Sequence, residues 1–199
     1  MPDASATDIA ATLASALGDD PFYWSITEGF GDDEAARTDC LDRYFRLSLA
    51  EGHEVGRVVI AGDDGAAIWV PPGDEAVLAA ARARKHAAFA DLLGAQGFSN
   101  YRRIIDFMDA NLVAGIAESA WYLSILGVAT SARGRGLGGR LLAPTLAEAD
   151  TQGAACYLET FNPLSLPFYG RHGFRPSEPI VEPVTGAPYW AMVRAEKSS

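Results

Sequence analysis

A run of glycine and arginine residues, ARGRGLGG at positions 132–139, is the part of the sequence best suited to bind a ligand. It follows the apolar stretch WYLSILGV at 121–128, which predicts a buried strand, and it leads into a helical pattern at 140–150. Glycines let such a loop curl close to a ligand, and a helix start offers free amide N–H groups and the positive end of its dipole. The arrangement predicts a site for an anion, most simply a phosphate.

The same glycines allow a dinucleotide-binding interpretation. Gly134, Gly136 and Gly139 satisfy G-x-G-x-x-G, and Glu159 lies about 20 positions further on, where a Rossmann fold places the acid that binds a ribose. This interpretation predicts an NAD-binding oxidoreductase. Against it, the loop lies late in the chain, and the segment after Glu159 is too short for the remaining strand and helix units of that fold. The two arginines within the loop also favour a ligand that carries several phosphates.

A second pattern in the loop is R-x-x-G-x-G, formed by Arg133, Gly136 and Gly138. With this pattern, LGVATSARGRGLGGRLL resembles the acyl-coenzyme A loop of the GNAT superfamily of N-acetyltransferases. The later LETFNPLSLPFYGRHGF resembles the strand, helix and strand that follow the loop in that superfamily. Within the superfamily, the sequence is similar to the puromycin N-acetyltransferase-like branch. That likeness rests on LET-x-x-P-x-x-x-PFY, on DDGAAIWVPP and on a tryptophan-containing last strand at 189–192.

The resemblance implies an α/β (α+β) fold whose mixed, mostly antiparallel sheet has a central pair of splayed parallel strands and helices on both faces. Acetyl-coenzyme A, the acyl donor, would lie in the gap between the parallel strands. The matching positions for its pantetheine arm are Leu126, Gly127 and Val128, and the side-chain amide of Asn162 would steady the arm. The pyrophosphate positions are those of the loop, namely Arg133, Gly134, Arg135, Gly136, Leu137, Gly138 and Gly139.

Acetyl transfer to an amine requires a base that takes a proton from the ammonium and an acid that protonates the departing thiolate. By resemblance, Tyr169 in PFY-x-x-x-GF matches the general acid of the family. Glu159, on the second strand beside the gap, is a candidate base that acts directly or through water, and Glu118 is the other candidate. We expect direct attack in a ternary complex, without a covalent enzyme intermediate. A non-catalytic acyl-coenzyme A sensor is the alternative, since it would keep the loop and Asn162 but need no phenol.

The acceptor is predicted to be a primary amine on a small molecule, and an antibiotic amine, a polyamine, an amino acid and a protein N-terminus all fit the sequence. Aromatic side chains suit a pocket for an apolar or aromatic amine, and the competing interpretation of the same residues is that they are large core side chains. The candidates are Trp24, Phe30, Trp69 and Trp121. The three histidines are scattered singly without ligand spacing, so no metal site is expected.

Composition sets further limits on the protein. The 199 residues predict one acetyltransferase domain that spans positions 1–199. A net charge of −10 argues against a nucleic-acid surface and favours cationic partners, amines among them. No apolar run approaches the ~20 residues of a membrane span, so we expect a cytoplasmic protein that does not associate with membranes. An edge strand in this architecture offers a surface for a homodimer.

Hydrophobic periodicity and turn residues predict the remaining elements. Helices are expected at 8–16, 33–50, 74–93 and 98–112, with Gly94 and Gly97 breaking the last two apart. The segment 18–30 clusters aromatic residues around loop formers and is predicted as a loop. Strands are expected at 56–61 and 66–70 as a hairpin, at 154–160 as the parallel partner of 121–128, and at 174–183 and 188–193 as a closing hairpin.

Overall fold

The structure is a computed structural model that describes residues 4–112, 116 and 120–197. Glu118, the second candidate base, lies outside these residues. The described residues include three short 3₁₀ turns, at Glu28–Phe30, Thr130–Ala132 and Pro163–Ser165. The helices and strands, in chain order, are α1 (Ala4–Leu17), α2 (Pro21–Ile26), α3 (Glu34–Val55), β1 (Arg57–Ile60), β2 (Gly65–Val70), α4 (Glu75–Asn111), β3 (Trp121–Val128), α5 (Leu137–Gln152), β4 (Cys156–Thr160), α6 (Leu166–Arg171), β5 (Arg175–Pro176), β6 (Ile180–Val181) and β7 (Pro188–Arg194).

The strands form one sheet in the order β1-β2-β3-β4-β7-β5, and β6 pairs with β7. The central β3–β4 pair is parallel, and the other strand pairs are antiparallel. Helix α5 connects the parallel pair, as a parallel connection requires. The predicted mixed sheet with a central parallel pair is therefore confirmed. It differs from the parallel, doubly wound sheet on which the dinucleotide interpretation depends.

Each face of the sheet carries its own hydrophobic cluster. Helices α1 to α4 cover one face, where Phe45 and Phe89 are fully buried. Helix α5 covers the other face, where Leu142 packs in the same cluster as Leu123. The paired positions shift between Ile68 and Trp69, which marks an irregularity in the β2–β3 register. Because of it, Leu123 and Ile125 pack on opposite faces although they are two residues apart.

The predicted loop at 18–30 is wrong, because the structure forms helix α2 there. Asp20 is the N-cap, and its carboxyl oxygen accepts the N–H of Phe22 at 3.0 Å. Pro21 occupies the first turn, where its missing N–H costs nothing. An Asp N-cap followed by Pro is an ordinary signal for a helix start. The loop prediction gave more weight to the aromatic residues that follow. The short helix brings Phe22 and Tyr23 into the core.

Helix α4 runs through both predicted helices and is kinked between them. Gly94 has φ 65° and ψ 178°, a conformation open to glycine, so the break predicted there is confirmed. The break predicted at Gly97 is wrong, because Gly97 keeps helical geometry. A β-carbon at Gly97 would lie 2.3 Å from the carbonyl oxygen of Ile26, so the glycine allows α2 to approach α4. Among the described residues, no helix is both long enough and apolar enough for a membrane crossing.

Candidate active site

The two parallel strands part from each other halfway along the sheet. Strand β3 pairs with β4 at three positions, which end at Leu123 opposite Leu158. Both strands continue past this point, β3 to Val128 and β4 to Thr160. The part of β3 beyond Leu123 therefore has a strand partner on its β2 side and a gap on its β4 side.

The backbone groups that face this gap belong to Leu126 and Val128. Ala129 donates its N–H to the carbonyl of Asp64 at the β2 side, at 2.8 Å. Since successive residues of a strand direct their polar groups to opposite edges, the N–H and C=O of Val128 and Leu126 point to the gap. Gly127, between them, packs on α1, where a β-carbon would lie 2.4 Å from Leu13. The edge is suited to hydrogen bond an extended ligand that lies along it.

The glycine-arginine loop ends in the N-terminus of α5. Gly134 and Gly136 have φ of 76° and 74°, and Gly136 is the N-cap of the helix without a side-chain hydrogen bond. The first-turn amides of α5, which include those of Gly138 and Gly139, therefore lack a capping side chain. Free N–H groups at a helix start form an anion-binding site. The local structure that the glycines predicted is present.

The arginine side chains of the loop bind backbone carbonyls in this conformation. Arg133 donates to the carbonyl of Val128 at 3.2 Å and to that of Ala16 at 2.9 Å. Arg135 donates to the carbonyl of Ser131 at 3.2 Å. The guanidinium groups therefore shape the loop and tie it to the end of α1. Their contact with a phosphate remains a proposal, as does the role of Leu137, the first residue of α5, whose side chain is buried in the cluster beneath that helix.

Asn162 lies after β4 as the N-cap of the 3₁₀ turn Pro163–Ser165. Its Oδ1 accepts the N–H of Leu164 at 3.0 Å, so the oxygen stabilises the turn. The side chain is exposed and lies outside the cavity described next. Its amide nitrogen is the atom left to contact a ligand.

A cavity of about 560 Å³ adjoins the gap on the face covered by α1 to α4. Its floor comes from both parallel strands, with Leu126 on β3 and Glu159 on β4, and Tyr169 of α6 also lines it. Helices α1 to α4 and the segments that connect them supply most of the rest of its wall. Six tyrosines contribute to the lining: Tyr23, Tyr44, Tyr101, Tyr122, Tyr157 and Tyr169. The structure thus brings the predicted acid and the predicted base into one cavity beside the open strand edge.

Tyr169 has the properties of a proton donor. Its ring packs edge-on against Phe168 and Phe174, which fixes the orientation of the phenol. Burial, and to a lesser degree the charge of Asp20, raises the pKa of Tyr169 above the ordinary value of 10.0. The phenol is therefore protonated at neutral pH. Within the described part of the chain, no group forms a hydrogen bond with its hydroxyl.

Glu159 has the properties of a base that works near neutral pH. Burial is the largest influence and raises its pKa to about 7, while hydrogen bonds from Tyr189 and Tyr122 lower it and the charge of Asp109 raises it. The hydrogen bond from the Tyr189 hydroxyl is 2.5 Å long. A carboxyl with a pKa near 7 exchanges protons readily at physiological pH. Within the described residues, no group of three metal-ligating side chains is placed to hold an ion.

Sequence reasoning did not identify the tyrosines around Glu159. Tyr122 and Tyr157 occupy paired positions on β3 and β4, and their rings stack at 4.6 Å. Tyr189 reaches Glu159 from β7, where Glu159 lies opposite Ala191. In the structure each of the first two is the second residue of its strand, but the predicted strand start at 154 would not have paired them. No local signal joins Tyr189 to Glu159.

The four aromatic residues predicted to contact the acceptor are not brought together. Trp24 is 53% exposed, and the guanidinium of Arg37 stacks on its ring at 3.8 Å. Phe30 packs against the core on the helical face. Trp69 and Trp121 are buried in the cluster beneath α5, on the opposite face of the sheet from the cavity. None of the four lines the cavity, so we do not carry them into the proposed site.

Comparisons with known proteins agree with this geometry. Residues 95–176 match a family model described as the acetyltransferase (GNAT) domain. A Corynebacterium glutamicum structure, described as histone acetyltransferase HPA2 and related acetyltransferase, is 21% identical with a TM-score of 0.70, over 100% of this chain and 95% of that chain. Arylalkylamine N-acetyltransferase 2 from Aedes aegypti is 15% identical with a TM-score of 0.64, over 96% and 94%.

An N-acetyltransferase from Staphylococcus aureus is 16% identical with a TM-score of 0.55, over 95% of this chain and 94% of that chain. At these identities the structural likeness establishes the fold alone. The chain has a GNAT-like fold. The family match in residues 95–176 supports acyl transfer as the general activity.

Proposed function

We propose that the protein transfers an acetyl group from acetyl-coenzyme A to the primary amine of a small molecule, by direct attack in a ternary complex. The observation that carries the proposal is that the β3–β4 gap opens into a cavity that contains both Glu159 and Tyr169. A donor bound along the strand edge would present its thioester where an acid and a base are available. The GNAT domain match supports the same class of reaction.

The chain offers two kinds of backbone donor to acetyl-coenzyme A. The β3 edge at Leu126 and the N–H of Val128 suit the extended pantetheine arm, although the carbonyl of Val128 accepts a hydrogen bond from Arg133. The first-turn amides of α5 suit the pyrophosphate. When bound, acetyl-coenzyme A supplies an activated acetyl group as a thioester. Gly138 allows α5 to pack closely on α6, because a β-carbon there would lie 3.0 Å from the ring of Phe168. This contact links the pyrophosphate site to the helix that carries Tyr169.

The cavity is suited to an acceptor that combines an amine with an apolar or aromatic body. Tyrosine rings form much of its wall and attract cations through their faces. Its charged lining residues are mainly carboxylates: Asp20, Glu51, Glu75, Asp109 and Glu159, against the basic Arg82 and Lys85. One relative of similar fold is by name an arylalkylamine N-acetyltransferase, which supports an amine of this kind as the acceptor.

The proton transfers follow from the two titrating side chains. Glu159, directly or through water, takes one proton from the bound ammonium, which frees the nitrogen lone pair. The N–C bond then forms and the C–S bond breaks. Tyr169 gives its proton to the departing thiolate, and the second proton released by the nitrogen restores the phenol through water. The raised pKa of each group supports its role, since Glu159 is half-ionised near pH 7 and Tyr169 remains protonated.

Two other functions are separable by experiment. A non-catalytic acyl-coenzyme A sensor would use the same loop and Asn162 but would not need the phenol of Tyr169. An NAD-binding oxidoreductase would use the G-x-G-x-x-G glycines, and the mostly antiparallel sheet argues against it. The transferase is favoured over the sensor because the phenol and a carboxyl of suitable pKa share one cavity.

The proposal extends to the domain organisation, location and oligomeric state of the protein. We propose that residues 1–199 form one acetyltransferase domain of the puromycin N-acetyltransferase-like branch. The protein would act in the cytoplasm without a metal ion, on an acceptor that is neither a nucleic acid nor a membrane. We also propose a homodimer through an edge strand of the sheet.

A thermal-shift titration with acetyl-coenzyme A, coenzyme A and NAD tests the donor half of the proposal. A ligand at ~100 times its dissociation constant stabilises the folded state by about 2.7 kcal/mol, which raises the melting temperature by several degrees. We expect a shift with acetyl-coenzyme A and none with NAD. Release of free thiol in the presence of amines then tests transfer. A shift with NAD alone would contradict the proposal, and binding of acetyl-coenzyme A without amine-dependent thiol release would favour the sensor.

A further inference from the structure

Asp20 has no assigned role, although its carboxyl lines the cavity beside the proposed acid. It follows α1 and caps α2, with one oxygen accepting the N–H of Phe22 at 3.0 Å. The side chain is half-buried, and neighbours Leu17, Phe22 and Tyr23 line the cavity with it. The second carboxyl oxygen is left without a hydrogen bond in the described part of the chain. Asp20 thus presents a charge to the cavity from an anchored position.

The loop that carries Asp20 is fixed by two arginines that do not neutralise it. Arg37 donates to the carbonyl of Gly18 at 3.3 Å and to the hydroxyl of Thr27 at 3.2 Å. Arg133 donates to the carbonyl of Ala16 at 2.9 Å. Neither guanidinium forms an ion pair with Asp20, and none of the ion pairs among the described residues includes it. The loop is therefore held in place, while the carboxylate of Asp20 has no cationic side chain to neutralise its charge.

The environment of Asp20 is unfavourable for a lone charge. Burial raises its pKa, while the hydrogen bond from Phe22 lowers it by a smaller amount. Its charge in turn raises the pKa of Tyr23 and of Tyr169, so the carboxylate and the proposed acid share one electrostatic neighbourhood. Removing a charge from water without a partner is costly, and a bound cation would relieve that cost.

Glu159 occupies a different part of the cavity lining. Its carboxyl is hydrogen-bonded to Tyr189 and Tyr122, and Asp109 is the charge that acts on its pKa. The cavity therefore presents two carboxyl positions with different surroundings. Glu159 has hydrogen-bond donors that support proton exchange. Asp20 has a free oxygen and no cation beside it, which suits recognition of a positive group.

We propose that Asp20 binds the ammonium of a cationic acceptor beside Tyr169, and so selects small alkylamines that are protonated at neutral pH over uncharged amines. This inference rests on the proposed transferase function. Asp20 keeps its charge during the reaction, since the proton of the ammonium goes to Glu159. The apolar part of the acceptor contacts the tyrosine rings of the cavity wall.

The test compares Asp20→Asn with the wild type at saturating acetyl-coenzyme A. Asparagine keeps the oxygen that caps α2 and removes only the charge, so the variant retains the helix start. Asp19→Asn is the matched control, because Asp19 is the adjacent carboxyl, is exposed and does not line the cavity. The acceptors are 2-phenylethylamine and hexylamine, which are cationic at neutral pH, and aniline, which is uncharged.

We expect KM for both cationic amines to rise about tenfold or more in Asp20→Asn, as for the loss of a charged hydrogen bond. KM for aniline and kcat with the cationic amines should change less, and Asp19→Asn should match the wild type. A merely structural role would weaken all three acceptors alike. An unchanged KM, or an equal loss for aniline, would overturn the inference.

Binding of acetyl-coenzyme A, measured by calorimetry in the same samples, separates the two proposals. If Asp20→Asn and the wild type bind it equally, the donor half of the proposed function holds whatever the amines show. If the wild type binds acetyl-coenzyme A but is not saturated by either cationic amine, the role of Asp20 is overturned while the donor half of the proposed function still holds. If the wild type does not bind it, the proposed function fails first, and the inference that rests on it fails too.

Discussion

The hydroxyl of Tyr189 donates a hydrogen bond of 2.5 Å to the carboxyl of Glu159 across the β4–β7 pair. Glu159 lies opposite Ala191 in that pair, so Tyr189 is two residues away on the same face of β7. The sheet register therefore fixes the contact. A donated hydrogen bond stabilises the ionised carboxyl and partly offsets the effect of burial, which leaves the pKa of Glu159 at about 7.

Replacing Tyr189 by phenylalanine removes that donor, so the pKa of Glu159 should rise further. Because a base acts in its ionised form, the rising acid limb of the kcat/KM profile should move to higher pH by about one unit. Steady-state rates between pH 5 and 9 measure the shift. Tyr157→Phe is the control, since Tyr157 lines the same cavity without a hydrogen bond to Glu159. If the acid limb of the kcat/KM profile lay at the same pH in Tyr189→Phe and Tyr157→Phe, this role for Tyr189 would be contradicted.

Replacing Glu159 by glutamine should change how stability depends on pH. Burial raises the pKa of Glu159 from 4.5 to about 7 in the folded protein, so the unfolded chain loses its proton first as the pH rises. The wild type should therefore lose stability between pH 4.5 and 7, by up to about 3 kcal/mol. Glu159→Gln lacks this contribution, so its stability relative to wild type should improve from pH 5 to pH 8. Urea unfolding of both proteins at pH 5 and pH 8 measures the difference in their free energies of unfolding. The same difference at both pH values would contradict the assigned pKa.

Replacing Tyr169 by phenylalanine should lower kcat at least tenfold and leave the affinity for acetyl-coenzyme A unchanged. The substitution keeps the ring packing against Phe168 and Phe174 but removes the proton for the thiolate. Thiol-release kinetics and calorimetry provide the two readouts. Tyr101→Phe, which removes another phenol from the cavity wall, should retain turnover. Full activity in Tyr169→Phe would remove this residue from the reaction.

Replacing Gly136 by alanine should weaken binding of acetyl-coenzyme A about tenfold. Space is not the obstacle, because the nearest atom to an added β-carbon is Nη1 of Arg140 at 3.8 Å. The obstacle is φ of 74°, which costs a residue with a side chain roughly 1–2 kcal/mol and would move the first turn of α5. Gly170→Ala is the control, as it lies within helix α6 with open space around it. Equal dissociation constants for the two variants would mean that the loop geometry does not matter for the donor.

The strand, loop and helix from Trp121 to Gln152 could be predicted because their signals are local. An apolar run, glycines with positive φ and a periodic helix are written in consecutive residues, and the parallel neighbour β4 follows from the connection through α5. The α2 helix was missed because a six-residue element offers too little periodicity to outweigh a cluster of aromatic residues.

By itself, the sequence predicted the central strand, the glycine-rich helix start and a carboxyl and a phenol further along the chain, and its family resemblance implied the splayed strands. The tertiary structure alone decided what surrounds them. Strand register placed Trp69 and Trp121 beneath α5, on the face away from the cavity, and brought Tyr189 to Glu159. Asp20 gained its position because α2 packs on α4. These contacts join residues far apart in the chain, and they depend on packing and register that no local pattern encodes.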